Sequence, residues 1–188
     1  MNLLFLTEFF PTKQNGKISG GAESRTYYLA KELSKKHNVT ILTALISNSK
    51  KEETWGNLKI YRVGKEYSYV QTGNFLNRFL FFLNAIYKGI GFKLDLIDTN
   101  SVPTYLAAWV IGLLKNVKTV FWIPDIVGFK QAMKHFGFIT GFLEALFELV
   151  SIYFFRADKT IALSETTKQK LLKLEFEEKD IEVVYPGV

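Results

Sequence analysis

Cysteine is absent from the 188-residue chain, and histidine occurs only at positions 37 and 135. Disulfides, thiolate nucleophiles and cysteine-based zinc sites are therefore excluded. His37 follows two lysines at a predicted helix end, and His135 is predicted to lie in a loop. Two histidines in such different settings do not predict a metal site, and we expect no metal ligand.

Strong segregation of charge is also missing. The net charge is +6, and the lysines are scattered along the chain. Scattered lysines are typical of a solvated surface, whereas a nucleic-acid groove needs clustered basic residues with interleaved aromatic residues. We therefore predict no nucleic-acid partner.

Long apolar runs are missing as well. The start, Met1-Asn2-Leu3, lacks the basic region of a signal peptide, so we expect a cytoplasmic protein. Segments 75–92 and 142–155 are apolar but interrupted, and both fall short of the roughly 20 residues of a spanning helix. Each segment is either a helix packed on a sheet or a surface that touches a bilayer. Because Glu144 and Glu148 would oppose anionic lipid, the segment from Phe75 to Lys93 is the better membrane candidate, and it would place the protein on the inner face of the cell membrane.

What is present is an alternation of apolar strands with helices, and 48% of the residues are hydrophobic. This alternation predicts an α/β fold, Rossmann-like, with a mostly parallel sheet and helices on both faces. One domain over residues 1–188 is expected from the length. We predict an exposed, mobile loop over residues 47–56. The predicted strands are 2–6, 39–43, 58–63, 94–98, 119–123, 159–163 and 181–184, and the predicted helices are 21–36, 75–89, 104–114, 138–155 and 165–174.

Ligands of parallel α/β sheets bind outside the carboxyl ends of the strands. The polar loops that follow predicted strands are residues 7–23, 100–101, 124–125 and 164–165. In the first of these loops, Gly20 and Gly21 lead directly into a helix. Two adjacent glycines allow an anionic group to approach bare N–H groups at a helix N-terminus. This edge of the sheet is therefore the predicted working face.

Several stretches together resemble the N-terminal domain of family 4 (group 1) glycosyltransferases, which have the two-domain GT-B fold. The resemblance is carried, in the family's order, by Phe9-Phe10-Pro11, Gly20-Gly21-Ala22-Glu23, Leu29-Ala30-Lys31-Glu32-Leu33, His37-Asn38-Val39-Thr40-Ile41-Leu42-Thr43, Asp95-Leu96-Ile97-Asp98-Thr99-Asn100-Ser101, Arg156-Ala157-Asp158-Lys159-Thr160-Ile161-Ala162-Leu163-Ser164-Glu165 and Ile181-Glu182-Val183-Val184-Tyr185-Pro186-Gly187-Val188.

This resemblance implies an acceptor-binding half of a retaining enzyme. Such an enzyme transfers a sugar from a nucleotide-sugar to a hydroxyl group, here of a glycolipid or polysaccharide precursor, and needs no further cofactor. The chain would be truncated at an interdomain hinge near Gly187, without the C-terminal domain that holds most donor contacts. We therefore expect the isolated chain to be inactive.

The resemblance also assigns candidate site residues. Gly20 and Gly21 would approach the donor diphosphate or the acceptor. Glu23 is either a helix cap or an acceptor for a sugar hydroxyl. Asn100 and Ser101 would contact the acceptor, although Ser101 also suits a helix start.

Asp125 is the catalytic candidate in the loop that follows strand 119–123. Many relatives have a His-Asp pair there, but Pro124 occupies the histidine position and has no titratable group. Asp125 would then orient an acceptor hydroxyl, or it is an ordinary turn residue. Ser164 is either a ligand contact or the N-cap of the next helix.

Two other functions remain open from the sequence. One is a sugar-nucleotide epimerase with the same two-domain architecture, which would act on a UDP-sugar without an acceptor. The other is a non-catalytic binding subunit that recruits a lipid carrier.

Overall fold

A computed structural model describes residues 1–16, 18–67 and 75–185 of the chain. These residues form two compact units, Met1–Thr119 and Val120–Val188. The predicted hinge at Gly187 lies outside the described residues.

The elements of the first unit, in chain order, are β1 (Asn2–Leu6), α1 (Gly21–Leu33), β2 (Asn38–Ile46), β3 (Glu52–Trp55), β4 (Leu58–Tyr67), α2 (Phe75–Ile90), β5 (Leu96–Thr99) and α3 (Val102–Lys115). The five strands form a sheet with the strand order β3-β4-β2-β1-β5. All neighbouring strands are parallel except β3 and β4, which form an antiparallel pair.

Helices cover both faces of this sheet, as adjacent residues of β2 show. Ile41 belongs to a core cluster that includes Tyr27 of α1. Leu42 points to the opposite face, because side chains alternate along a strand. There it lies close to Gly89 of α2, which in turn packs against Ile111 of α3. Both residues of β2 are fully buried, so two-sided burial explains why the strand is apolar at successive positions.

The elements of the second unit are β6 (Lys118–Ile123), which contains the boundary between the units, α4 (Phe129–Phe136), α5 (Phe138–Phe154), β7 (Lys159–Ala162), α6 (Glu165–Lys173), a 3₁₀ turn (Glu178–Asp180) and β8 (Ile181–Val183). The three strands are parallel and have the order β6-β7-β8. Helix α6 packs against β7 and β8, and α4 packs against α5. The predicted α/β fold with a mostly parallel sheet is confirmed.

The prediction of a loop over residues 47–56 is wrong for residues 52–55, although most of this segment is exposed as predicted. Part of this segment is strand β3, which pairs with β4 across the two-residue turn Gly56-Asn57. Gly56 has a φ of +60°, which such hairpin turns require. At the end of β3, Trp55 is buried and stacks on Phe10, with ring centroids 5.6 Å apart. The polar composition of the segment hid a short edge strand whose aromatic residue faces the core.

The prediction of a loop around His135 is also wrong, because His135 lies in the last turn of α4. Phe129, Ala132 and Met133 have helical spacing, and Ala132 is buried. The helix is only eight residues long and lies between Gly128 and Gly137. Those glycines indicated a loop, whereas in the structure they mark the two ends of a helix.

Candidate functional site

The start of α1 is open, as the sequence predicts for a ligand-binding helix N-terminus. Gly20, the residue before the helix, has an extended backbone with φ −156° and ψ 163°. Both Gly20 and Gly21 are exposed, and a Cβ atom added to either would meet no described atom within 4 Å. The first N–H groups of a helix have no acceptor within the helix. No described atom near these two Cβ positions therefore blocks an anion that approaches the helix start.

Glu23, in the first turn of α1, is turned back toward the preceding loop. Its side chain is only 4% exposed, and its Oε2 accepts a hydrogen bond of 2.8 Å from the N–H of Ser19. A glutamate at this helix position commonly stabilises the helix start in this way. The geometry therefore supports the interpretation of Glu23 as a helix cap.

Asn100 joins the end of β5 to the first turns of α1. Its Nδ2 donates to the carbonyl oxygen of Ala22 at 2.9 Å and to Oγ1 of Thr26 at 2.5 Å. The residue is 4% exposed, and its Oδ1 is buried without a hydrogen-bond partner in the described part of the chain. Asn100 therefore fixes the position of the helix start relative to the end of β5.

Ser101 precedes α3 and belongs to a small group of hydroxyl side chains. Its Oγ lies 2.9 Å from Oγ1 of Thr104, which lies 2.5 Å from Oγ1 of the buried Thr99. The carbonyl oxygen of Ser101 accepts the N–H of Thr104 at 2.8 Å. Ser101 is half-buried, so in this structure it begins a helix and keeps part of its surface accessible.

In the second unit, the loop after β6 is tied to α6. Oδ1 of Asp125 accepts from Nζ of Lys170 at 2.6 Å and from the N–H of Ile126 at 2.8 Å. The carbonyl oxygen of Pro124 accepts from Oγ1 of Thr167 at 3.0 Å. Asp125 is exposed, so its carboxylate remains accessible although Lys170 is paired with it.

Ser164 is the N-cap of α6. Its Oγ accepts a hydrogen bond of 3.1 Å from the N–H of Thr167, as a capping serine does. Thr167 also holds Pro124, so one residue connects the loops that follow β6 and β7. The capping interpretation of Ser164 explains its position without a ligand.

Within each unit, the structure brings predicted site residues together. In the first unit, the Gly20-Gly21 start and Asn100 meet through Ala22. In the second unit, Asp125 and Ser164 both contact α6, Asp125 through Lys170 and Ser164 through Thr167. No three acidic or histidine side chains of the described residues come together as ligands of a metal ion would.

A model of the family described as Glycosyltransferase Family 4 matches residues 19–188. The chain belongs to glycosyltransferase family 4. No curated protein matches it at the sequence level.

Solved structures share the fold of this family 4 chain. Sucrose-phosphate synthase from Thermosynechococcus elongatus has a TM-score of 0.75 at 13% identity, covering 100% of this chain and 49% of its own. HepE from Anabaena, in complex with UDP, has a TM-score of 0.59 at 16% identity, covering 100% and 44%. The catalytic domain of Starch Synthase IV from Arabidopsis thaliana, bound to ADP and acarbose, has a TM-score of 0.63 at 12% identity, covering 99% and 51%. The resemblance to the N-terminal domain of family 4 enzymes with the GT-B fold is thus confirmed, and the chain spans about half the length of these structures.

Sequence reasoning missed the ion pair beneath the helix start of the family 4 chain. Nη1 and Nη2 of Arg25 donate to the two carboxylate oxygens of Asp98 at 2.7 and 2.8 Å. Burial raises the pKa of Asp98, and the hydrogen bond and charge of Arg25 oppose this rise. The sequence feature that could have revealed the ion pair is Asp98, an acidic residue inside an apolar strand, because a buried carboxylate needs a partner.

A second missed residue, Arg62 of β4, anchors the loop that precedes the glycines. Its guanidinium donates to the carbonyl oxygens of Lys50 and Pro11 at 3.0 and 2.7 Å, and it also pairs with Glu53. Arg62 is almost fully buried. An arginine in the alternating pattern of a strand looks like a surface residue, so only the fold reveals this role.

Glu148 of α5 is the missed titratable group of the second unit. It is 9% exposed, and its Oε2 accepts the N–H of Val127 at 3.0 Å in the loop after β6. Burial raises the pKa of Glu148 to about 7; the charges of Asp125 and Glu144 add to the rise, while the Val127 hydrogen bond and Lys170 oppose it. A carboxyl group with such a pKa, next to the loop of the catalytic candidate Asp125, is typical of functional sites and also of structural clusters.

Proposed function

We propose that this family 4 chain is the acceptor-side, N-terminal half of a retaining glycosyltransferase. The enzyme would transfer a sugar from a nucleotide-sugar to a hydroxyl group of a glycolipid or polysaccharide precursor. A second domain outside these 188 residues would supply most donor contacts; in support, the chain covers only 44–51% of the compared structures. The UDP and ADP bound by two of those proteins support a nucleotide-sugar donor for this one.

The observation that carries the proposal is the open helix start at Gly20 and Gly21. A helix N-terminus stabilises a nearby anion by roughly 0.3–2 kcal/mol, and its N–H groups fix the orientation of a phosphate. Because Glu23 is turned back to Ser19, its carboxylate is already engaged by a backbone N–H. The anion in this proposal is the diphosphate of the donor.

A glycine substitution tests this role without disturbing the fold. A Cβ atom at Gly21 would meet no described atom within 4 Å, so we expect Gly21→Val to fold while it fills space in front of the helix. We expect UDP to shift the amide NMR signals of residues 20–23 in the unmodified chain, and we expect Gly21→Val to abolish these shifts.

The matched control is Gly128→Val, because Gly128 also precedes a helix, has a negative φ and has open space around it. This variant should show the same UDP shifts as the unmodified chain. An unchanged spectrum with UDP, or equal shifts in Gly21→Val, would contradict the role of the helix start.

The proposed role of Asp125 is to orient the acceptor hydroxyl. Support comes from its exposure and from its fixed position between Lys170 and the N–H of Ile126. Pro124 offers no base, so the positioning of the acceptor, rather than proton abstraction by a histidine, is the contribution proposed for this loop.

Without the second domain, the isolated chain should transfer no sugar at ordinary enzyme rates.

We also propose that the membrane candidate from Phe75 to Lys93 touches the inner face of the cell membrane. Exposed apolar side chains repeat along one side of α2 at Leu76, Phe79, Leu83, Tyr87 and Ile90. None of the helices in residues 1–16, 18–67 and 75–185 is both long and apolar enough to cross a membrane.

The combined variant Phe79→Gln, Leu83→Gln and Tyr87→Gln should reduce co-sedimentation with phospholipid vesicles, and unchanged binding would remove this part of the proposal.

A further inference from the structure

The loop after β6, residues 124–128, is held at its beginning by α6, and we call it the β6 loop. Nζ of Lys170 donates to Oδ1 of Asp125 at 2.6 Å and to the carbonyl oxygen of Ile126 at 3.0 Å. One lysine therefore holds both the side chain of Asp125 and the main chain that follows it.

The end of the β6 loop is held by a different helix, α5. Oε2 of Glu148 accepts a hydrogen bond of 3.0 Å from the N–H of Val127. Glu148 is buried, whereas Asp125, two residues before Val127, is exposed. The exposed carboxylate of Asp125 thus lies on a short segment that Lys170 holds on one side and a buried acid holds on the other.

The hydrogen bond at the end of the β6 loop does not require an acid. The side-chain amide of a glutamine would also accept the N–H of Val127, without the cost of burying an ionisable group. Acids with a perturbed pKa cluster at functional sites. The acid at position 148 therefore points to a role that a glutamine could not fill, namely a response to protonation.

Charge also couples Glu148 to the β6 loop through space. Burial raises the pKa of Glu148 to about 7; the Val127 hydrogen bond and Lys170 oppose the rise, and the charges of Asp125 and Glu144 add to it. Helix α4, which packs against α5, contains three titratable side chains, and all are exposed: Lys130, Lys134 and His135. A charge on Glu148 therefore acts on the pair formed by Asp125 and Lys170.

We infer that Glu148 is a positioning residue of the proposed acceptor site: its bond to the N–H of Val127 sets the position of the β6 loop and hence of the Asp125 carboxylate. Because Glu148 is buried, it acts through the loop and does not touch the acceptor. Ionisation strengthens this bond, since a charged oxygen binds an N–H more tightly than a neutral one, and it adds repulsion toward Asp125. The inference rests on the proposed function for the role of Asp125 itself.

Amide hydrogen exchange tests the bond to Val127. Glu148→Ala removes the hydrogen-bond acceptor and should raise the exchange rate of the Val127 N–H by about tenfold. Glu148→Gln retains an acceptor and should keep the slow exchange of the unmodified chain. The N–H of Thr167, which is bound to Ser164, should exchange at the same rate in all three proteins, and this reference separates a local change from a general loss of stability.

A pH series tests whether the charge on Glu148 affects Asp125, which a purely structural role does not require. In the unmodified chain, the amide signals of Ile126 and Val127 and the carboxyl carbon signal of Asp125 should shift with a common midpoint near pH 7. Glu148→Gln should remove this step from all three signals. Histidine titrates in the same pH range, so His135→Gln is the control and should retain the step.

Three results would overturn the inference: unchanged Val127 exchange in Glu148→Ala, a step that persists in Glu148→Gln, or a step at Val127 that leaves Asp125 unmoved. The pH series needs only the unmodified chain and a conservative variant, so it remains decisive if Glu148→Ala does not fold. Neither experiment contains UDP. A failure of the proposed donor site, measured at residues 20–23, is therefore distinguishable from a failure of this inference.

Discussion

Glu148 is an acid inside the second unit, surrounded by the apolar residues of α5 and held by a single backbone N–H of Val127. Its pKa of about 7 lies well above the usual value of 4.5, chiefly because burial disfavours the charged form. The unfolded chain ionises this group near pH 4.5, whereas the folded chain retains the proton up to about pH 7. The contribution of Glu148 to stability is therefore complete below pH 4.5 and is lost as the pH rises to 7.

Glu148→Gln should remove this pH dependence. Glutamine retains an acceptor for the N–H of Val127 but cannot ionise, so the variant should match the unmodified chain at pH 4 and be more stable at pH 8. The difference at pH 8 should be on the order of 3 kcal/mol. Urea unfolding at the two pH values measures it. Glu177→Gln, at an exposed position, should show no such difference, and a pH-independent effect of Glu148→Gln would contradict the shifted pKa.

At the scale of single residues, the sequence predicted where site residues lie better than which groups they contact. Gly20, Gly21 and Asn100 were identified from their place after strands, and the structure places all three around the start of α1. The roles of Arg62 and Glu148 depend on groups that are distant in sequence, Pro11 for the first and Val127 for the second. Such pairings follow from the packing of elements, and one sequence contains no direct record of them.

At the scale of elements, the approach of α2 to β4 depends on Gly64. Its φ is +90°, a conformation that L side chains rarely adopt, and an added Cβ atom would lie 2.9 Å from the Cα of Phe81. Phe81 is fully buried in α2. The helix backbone therefore lies directly on the strand, and no side chain fits between them.

Gly64→Ala should destabilise the fold through both backbone strain and this close approach. We expect a loss of about 2–4 kcal/mol in the free energy of unfolding. Gly56→Ala is the matched control, because Gly56 also has a positive φ but has open space around it. The control should lose only the strain part, about 1 kcal/mol. Chemical denaturation of both variants measures the difference, and equal losses would show that the contact with α2 costs nothing.

The elements that the sequence predicted correctly are long or strongly apolar. Strand β1 was predicted with the bounds it has, and α5 differs from its prediction by one residue. The elements that were missed, β3 and α4, have four and eight residues, and turn-forming glycines stand beside them. A short element shows too few periods of its pattern to be recognised, and its stability comes from neighbours such as Phe10 beneath Trp55.

At the scale of the whole molecule, we predict that a longer protein, which contains this chain and a second domain, transfers sugar with retention of anomeric configuration. The coupling constant of the anomeric proton in the product distinguishes retention from inversion. Gly21→Val should lower kcat/KM by at least about tenfold, because its side chain would occupy the proposed phosphate site. Conversion of a UDP-sugar without any acceptor would instead indicate an epimerase.

The fold class could be predicted because two-sided burial imposes apolar strands on any parallel sheet. The family could be predicted because several stretches occurred in its order, and the match over residues 19–188 confirms it. Donor and acceptor could not be predicted, since they depend on loop geometry. For segment 142–155 the sequence left burial and exposure open, because periodicity gives the sides of a helix but does not show which side faces the core.

The side-chain amide of Asn100 donates two hydrogen bonds, one to the main chain of α1 and one to Thr26, and so ties the end of β5 to α1. A displacement of the glycine pair that moves the adjacent Ala22 would stretch the first of these two bonds. The NH₂ resonances of this single asparagine are consequently a built-in sensor of occupancy at the helix start, readable without any label.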